Sequence, residues 1–92
     1  MTKYDSYEYK PTFETLMELL ETGREIEFTY KHNEYFIINS NKHGRALILD
    51  TEDLSDYTHD INKFVEMAKI YGITLKELFT NHSDEIEFGT IF

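Results

Sequence analysis

The densest run of reactive side chains lies between Asp50 and Asp60. Asp50, Glu52, Asp53, Asp56 and Asp60 supply five carboxylates there, and no Lys or Arg occurs between Arg45 and Lys63. Carboxylates at this density can hold a metal, share a proton in acid–base catalysis, or meet a basic surface. The run has the charge of a calcium loop but lacks the Gly and the terminal Glu at the required offsets. An acid–base pair needs a cleft that shifts its pKa values, and no feature of the sequence indicates one. His59 with Asp56 and Asp60 is the nearest approach to a metal-ligand set. However, His32, His43, His59 and His82 show no HExxH or comparable spacing, and they read as surface loop residues.

The other reactive types are equally unpromising for catalysis. There is no cysteine, so neither thiol chemistry nor a disulfide framework is available. Ser6, Ser40, Ser55 and Ser83 sit in no GxSxG elbow, and Gly23, Gly44, Gly72 and Gly89 are too scattered to cradle a phosphate. No catalytic residue, cofactor site or metal site is therefore expected. Recognition through charge remains. The chain of 92 residues carries 18 Asp and Glu against 9 Lys and Arg, a net charge of −9. That balance disfavours direct contact with nucleic acid or an anionic membrane, both of which select clustered Lys and Arg. It suits solubility, and it suits a protein partner with a basic surface. Asp50, Glu52, Asp53, Asp56 and Asp60 form the first-choice contact surface. Glu14, Glu18 and Glu21, at near-helical spacing, form the second.

The elements that must position these groups follow from periodicity. Phe13, Leu16, Met17 and Leu20 recur at helical spacing over Thr12 to Thr22, with Thr12 as cap and Gly23 as the left-handed stop. Residues Arg24 to Ser40 alternate with period two and form a hairpin. With His32-Asn33 as its loop, Tyr30 faces Tyr35, Phe28 faces Ile37 and Ile26 faces Asn39. One face then carries Ile26, Phe28, Tyr30, Tyr35 and Ile37. The other carries Glu27, Thr29 and Lys31 but also Phe36 and Ile38, which must be either covered, for example by Ile86 and Phe88 of the C-terminal tail, or used for association.

Arg45 to Asp50, with an unbroken Ala46 to Leu49, reads as a third strand buried on both faces. A helix is expected from about Thr58 to Tyr71, with Leu54 and Tyr57 extending its stripe backwards and Gly72 breaking it. Thr74 and Glu77 form a capping box ahead of a short helix, about Leu75 to Thr80. Glu85 to Phe92 is a final edge strand or tail. The expected fold is α+β: an N-terminal helix, a three-stranded antiparallel meander, a longer and a short C-terminal helix, and the terminal strand. Residues 1–10 form a flexible arm, with a short strand at Tyr7 to Tyr9 as its only structure, and 11–92 a single domain, monomeric or homodimeric and cytoplasmic.

Two stretches carry resemblances. Ile61 to Phe79, INKFVEMAKIYGITLKELF, resembles the last two helices of Cro/C1-type helix-turn-helix proteins. Strand and acidic loop stand where that family places its recognition helix, so the part that reads DNA is missing. GREIEFTY, EYFIINS and GITLKELF together resemble a group of small uncharacterised α+β proteins of Firmicutes and their phages. In size, element order and acidity, with a short echo at Asn33-Glu34-Tyr35, the chain is also similar to small type II anti-CRISPR proteins. That likeness implies a phage or prophage inhibitor that blocks a basic site of a host nuclease by DNA mimicry. The alternative expectation is a small regulatory or antitoxin-like protein that binds a protein partner through apolar surface around Phe36 and Ile38.

Overall fold

Period-two alternation and turn chemistry fix the sheet. In the computed structural model, which describes residues 9–92, β1 (Ile26–Tyr30), β2 (Asn33–Ser40), β3 (Gly44–Leu49) and β4 (Glu52–Asp53) follow one another as antiparallel hairpins. The strand β7 (Ile86–Ile91) returns to pair antiparallel with β1, giving the order β4-β3-β2-β1-β7. The α+β fold, with its N-terminal helix, meander, C-terminal helices and edge strand, is as the sequence implies. The N-terminal arm, including the strand expected at Tyr7 to Tyr9, lies outside the described residues except for Tyr9 and Lys10. Tyr9 packs against the core.

The first hairpin turns one residue earlier than expected. Lys31 and His32 take φ values of 50° and 69°, and the register is Tyr30↔Asn33, Phe28↔Tyr35 and Ile26↔Ile37. Positive φ at both central residues marks a type I′ turn, whose twist matches the strands it joins. The slip against the expected register is two residues. Side chains repeat with period two, so every residue keeps its face. Ile26, Phe28, Tyr30, Tyr35 and Ile37 are all buried, as the alternation demands. Between β2 and β3 the three-residue loop closes on Gly44 at φ 94°, and a side chain there would collide with the Thr58 carbonyl.

Among the described residues, three α-helices cover the same sheet face. The first, α1 (Phe13–Glu21), is capped by Thr12, whose hydroxyl accepts from Thr15 N at 3.2 Å. It ends as a Schellman motif: Gly23 sits at φ 80°, Arg24 N bonds to Leu19 O, and Gly23 N bonds to Leu20 O. Its buried residues are Leu16, Leu19 and Leu20, while Phe13 and Met17 are half-buried. Helix α2 (Ile61–Met67) is shorter than expected, and α3 (Leu75–Asn81) has the same length of seven residues. Thr74 caps α3 by accepting from Glu77 N at 3.2 Å.

The missing part of α2 is instead a hairpin. β5 (Lys69–Ile70) and β6 (Ile73–Thr74) pair around Tyr71 and Gly72, at φ 54° and 78°. On a continued helix at 100° per residue, Ile70 would point away from the stripe of Ile61, Phe64, Val65 and Ala68. Extended backbone turns it inward, and it is buried. Leu54 and Tyr57 are not helical either. They belong to the irregular segment that follows β4.

Helix and sheet meet through aromatic rings. Phe28 stacks on Tyr35 at 5.4 Å and meets Phe79 edge-on at 5.3 Å, while Phe79 lies 6.1 Å from Phe88. Leu16 lies in this core with no exposed surface. Leu16→Ala is expected to lower unfolding free energy by about 2–5 kcal/mol, as truncations of buried leucine do. Urea denaturation measures it, and a loss under about half a kcal/mol would show that α1 is not anchored on the sheet.

Candidate functional site

The acidic run is built on the β3 edge rather than in a free loop. Asp50 takes φ 56° in the turn between β3 and β4, and Glu52 and Asp53 then pair with Leu49 and Ile48. Beyond β4 the chain stays on β3. Leu54 N donates to Leu47 O at 2.7 Å, and Leu47 N donates to Ser55 Oγ at 3.0 Å. Arg45 and Thr58 exchange both backbone bonds, at 2.8 and 3.1 Å. The carboxylates therefore project from backbone held at both ends.

Arg45 locks this segment to the helices. It is 8% exposed, and its Nη2 donates to Leu20 O at 2.7 Å, at the negative end of the α1 dipole. Its Nη1 reaches His59 O at 3.4 Å. Burial pushes the guanidinium pKa down from its ordinary value, but an arginine keeps its charge at neutral pH.

All five predicted carboxylates are exposed, yet they do not form one surface. Glu52 lies opposite Leu49, on the helix-covered side of the sheet, and Asp53 opposite Ile48, on the other. Asp53 and Asp56 line a shallow groove with Leu54, Ser55, Tyr57 and Met67. Asp60 has a structural duty: it caps α2, its Oδ1 accepting from Lys63 N at 3.1 Å. Among the described residues, none of the five meets a Lys, Arg or His at ion-pair distance. Glu14, Glu18 and Glu21 are exposed on α1, across the helical layer from the uncovered sheet face. No group of three or more His, Asp or Glu side chains suited to a metal ion occurs among the described residues. No described helix is long and apolar enough to cross a membrane.

Phe36 and Ile38 lie on the sheet face that no described helix covers, and both are half-buried. The expected cover by Ile86 and Phe88 does not occur. Those residues pair with Tyr30 and Phe28 on the core face, because the two strands meet antiparallel with even offset. The tail reaches Phe36 through Phe92, with ring centroids 5.9 Å apart. The cross-strand register sets Asp53, Ile48, Phe36 and Glu27 in one row, with Ala46 and Ile38 as the next apolar pair. Glu34, Thr29 and Glu87 form a parallel row beyond. Glu27 joins Phe36 and Ile38 on this face as the alternation implies, and Ile48, Glu34, Glu87 and Phe92 are further members that the sequence did not single out. The alternation of Glu27 with Phe28 already held the signal for Glu27, but Ile48 is hidden inside the unbroken Ala46 to Leu49 run.

A polar cluster closes one end of the molecule. Asn33 Nδ2 donates to Tyr71 Oη at 3.0 Å, and Tyr71, 65% exposed, lies 6.3 Å from the Tyr30 ring. Glu85 accepts from His82 Nδ1 at 3.1 Å and sits 3.6 Å from Lys31 Nζ. The His82 bond, with a smaller contribution from Lys31, holds its carboxyl below the usual range. Burial pushes the Tyr35 phenol above its ordinary value.

Compared with known protein families, curated proteins and solved structures, the chain matches none.

Arg45→Ala is expected to destabilise the fold by about 1–3 kcal/mol, since it strips two carbonyls of a charged donor and removes a buried stem. It should also speed amide exchange at Thr58, read by hydrogen-exchange NMR. Protection at Thr58 equal to wild type would refute the locking role. A second expectation concerns alkaline pH. A phenol whose pKa is raised by folding stabilises the fold fully below the unfolded value of about 10 and loses that contribution as pH rises through the folded value. The urea midpoint should fall above about pH 10, and fall less in Tyr35→Phe; identical profiles would remove Tyr35 as the cause.

Proposed function

We propose that this chain is a non-catalytic binding protein that sets its acidic β3–β4 edge against the basic surface of a protein partner. One observation carries the reading. Asp50, Glu52, Asp53 and Asp56 are exposed on hydrogen-bonded backbone, with no cation at ion-pair distance among the described residues. Carboxylates kept this way have lost little solvation and have no internal partner to give up. A site built from Lys and Arg to neutralise phosphates accepts by substitution carboxylates that project to both sides of such an edge. Pinned backbone also limits the ordering entropy that binding must overcome.

The resemblance to type II anti-CRISPR proteins gives this reading its most concrete form. In that form a phage or prophage product acts in the bacterial cytoplasm as a DNA mimic and occupies the basic DNA-reading site of a CRISPR nuclease. A second reading, a regulatory or antitoxin-like protein that binds through Phe36 and Ile38, is favoured by the uncovered sheet face. The two surfaces adjoin at Asp53.

The test combines charge removal with salt. Asn retains the capping role at position 60, so the Asp53→Asn, Asp56→Asn, Asp60→Asn triple variant should fold as wild type. Its affinity for a type II nuclease should fall by roughly tenfold or more at low salt, mainly through a slower on-rate, and its salt dependence should flatten. Nuclease binding is read by surface plasmon resonance and DNA displacement by gel shift. A triple variant that binds as tightly as wild type at low salt would defeat the acidic-edge reading. Absence of any binding by wild type would defeat its nuclease form.

A further inference from the structure

We propose that the sheet face left open by the described helices is the seat of an amphipathic α-helix of the partner, an apolar stripe flanked on both sides by Lys or Arg. The inference rests on the preceding reading in one respect, that the partner is basic.

The row Asp53, Ile48, Phe36, Glu27 crosses four adjacent strands and places an acid at each end of an apolar pair. Neighbouring strands lie about 4.8 Å apart, so the two acids stand roughly 14 Å apart across three gaps. An α-helix with its side chains is about 10–12 Å wide. It fits between them, with its stripe on Ile48 and Phe36 and its flanking cations within reach of Asp53 on one side and Glu27 on the other. The floor continues along β2 through the half-buried Ile38, and Phe92, 54% exposed, widens it beside Phe36. Glu34 and Glu87 lie beyond one end of the apolar floor. None of Glu27, Glu34, Asp53 and Glu87 meets a cation at ion-pair distance among the described residues.

Charge decides among occupants. A second copy of this chain would oppose four carboxylates with the same four and bring together two molecules of net charge −9. A basic helix neutralises the rim while its stripe removes apolar surface from water. The same requirement excludes an acidic or uncharged helix, which would bury the rim without compensation.

The test uses the whole chain and two synthetic peptides of about 18 residues, five helical turns. One has a Leu stripe flanked by Lys; the other has the same composition scrambled. Titration calorimetry reads affinity, and amide shift perturbation reads the location. The amphipathic peptide should bind roughly tenfold tighter than the scrambled one, with shifts centred on Phe36, Ile38 and Ile48. Ile48→Ser and Phe92→Ser should each lower that affinity severalfold while leaving the spectrum of the free fold intact. Equal affinity for both peptides, no binding of the amphipathic one, or no effect of either Ser variant overturns the helix seat. So does a dimer in sedimentation that Ile48→Ser dissolves, which would assign the face to a second copy. If the Asp53→Asn, Asp56→Asn, Asp60→Asn variant weakens both peptides alike and the Ser variants change nothing, the acidic-edge reading stands and the helix seat falls. If the Ser variants and Glu27→Gln weaken binding of the amphipathic peptide and an Asp56→Asn, Asp60→Asn double variant does not, the seat stands and the acidic-edge reading falls.

Discussion

The guanidinium of Arg45 holds together parts of the chain that local sequence cannot. It is a buried cation in a strongly acidic protein, bonded to the carbonyls of Leu20 and His59 rather than to a carboxylate. Leu20 closes α1 and His59 precedes α2, so a single side chain on β3 fixes two helices against the sheet. The backbone of the same residue holds Thr58. Burying a charge is costly unless it is hydrogen-bonded, and the negative end of a helix supplies both acceptors and a favourable field. Carbonyls also leave the carboxylates uninvolved. An Asp or Glu recruited to pair Arg45 would be one fewer on the surface.

Division of labour between the sheet faces follows. With all three helices on one face, the aromatic contacts of Phe28, Tyr35, Phe79 and Phe88 concentrate there, and the core closes without the other face. Phe36, Ile38 and Ile48 are then free of a structural duty to the helical layer. Exposed apolar side chains invite association, and carboxylates beside them oppose it between like molecules. Glu27 and Asp53 stand at the two ends of the Phe36–Ile48 pair. Surface charge and apolar face therefore adjoin along one row of the sheet.

Much of this was legible in the sequence because it depends on contacts a few residues apart. Thr12, Thr74 and Gly23 act as caps for reasons contained in one turn of backbone. The faces of β1 and β2 follow from alternation alone, and they survive an error of two residues in register. The oddity of Phe36 and Ile38 was visible for the same reason. The turn position was not, because type I′ geometry at Lys31-His32 puts a lysine, which has no preference for positive φ, at its first central position; strand pairing imposes it.

What the tertiary structure alone decided were the places where a local preference loses to a distant contact. The sequence from Ile61 to Tyr71 can continue as helix, but Ile70 reaches the core only if the backbone extends after Met67. The acidic segment has no strand periodicity, and it becomes an edge because Leu47 and Arg45 offer it unpaired backbone groups. Ile86 and Phe88 alternate as a strand must, but alternation does not say which face they join. That choice belongs to β1, whose open edge fixes their register. The division of the acidic run, with Asp53 beside the open face, Glu52 turned from it and Asp60 spent on a cap, has the same origin. Charge is a property of the residues, whereas the surface that charge belongs to is settled only when strands from distant parts of the chain lie side by side.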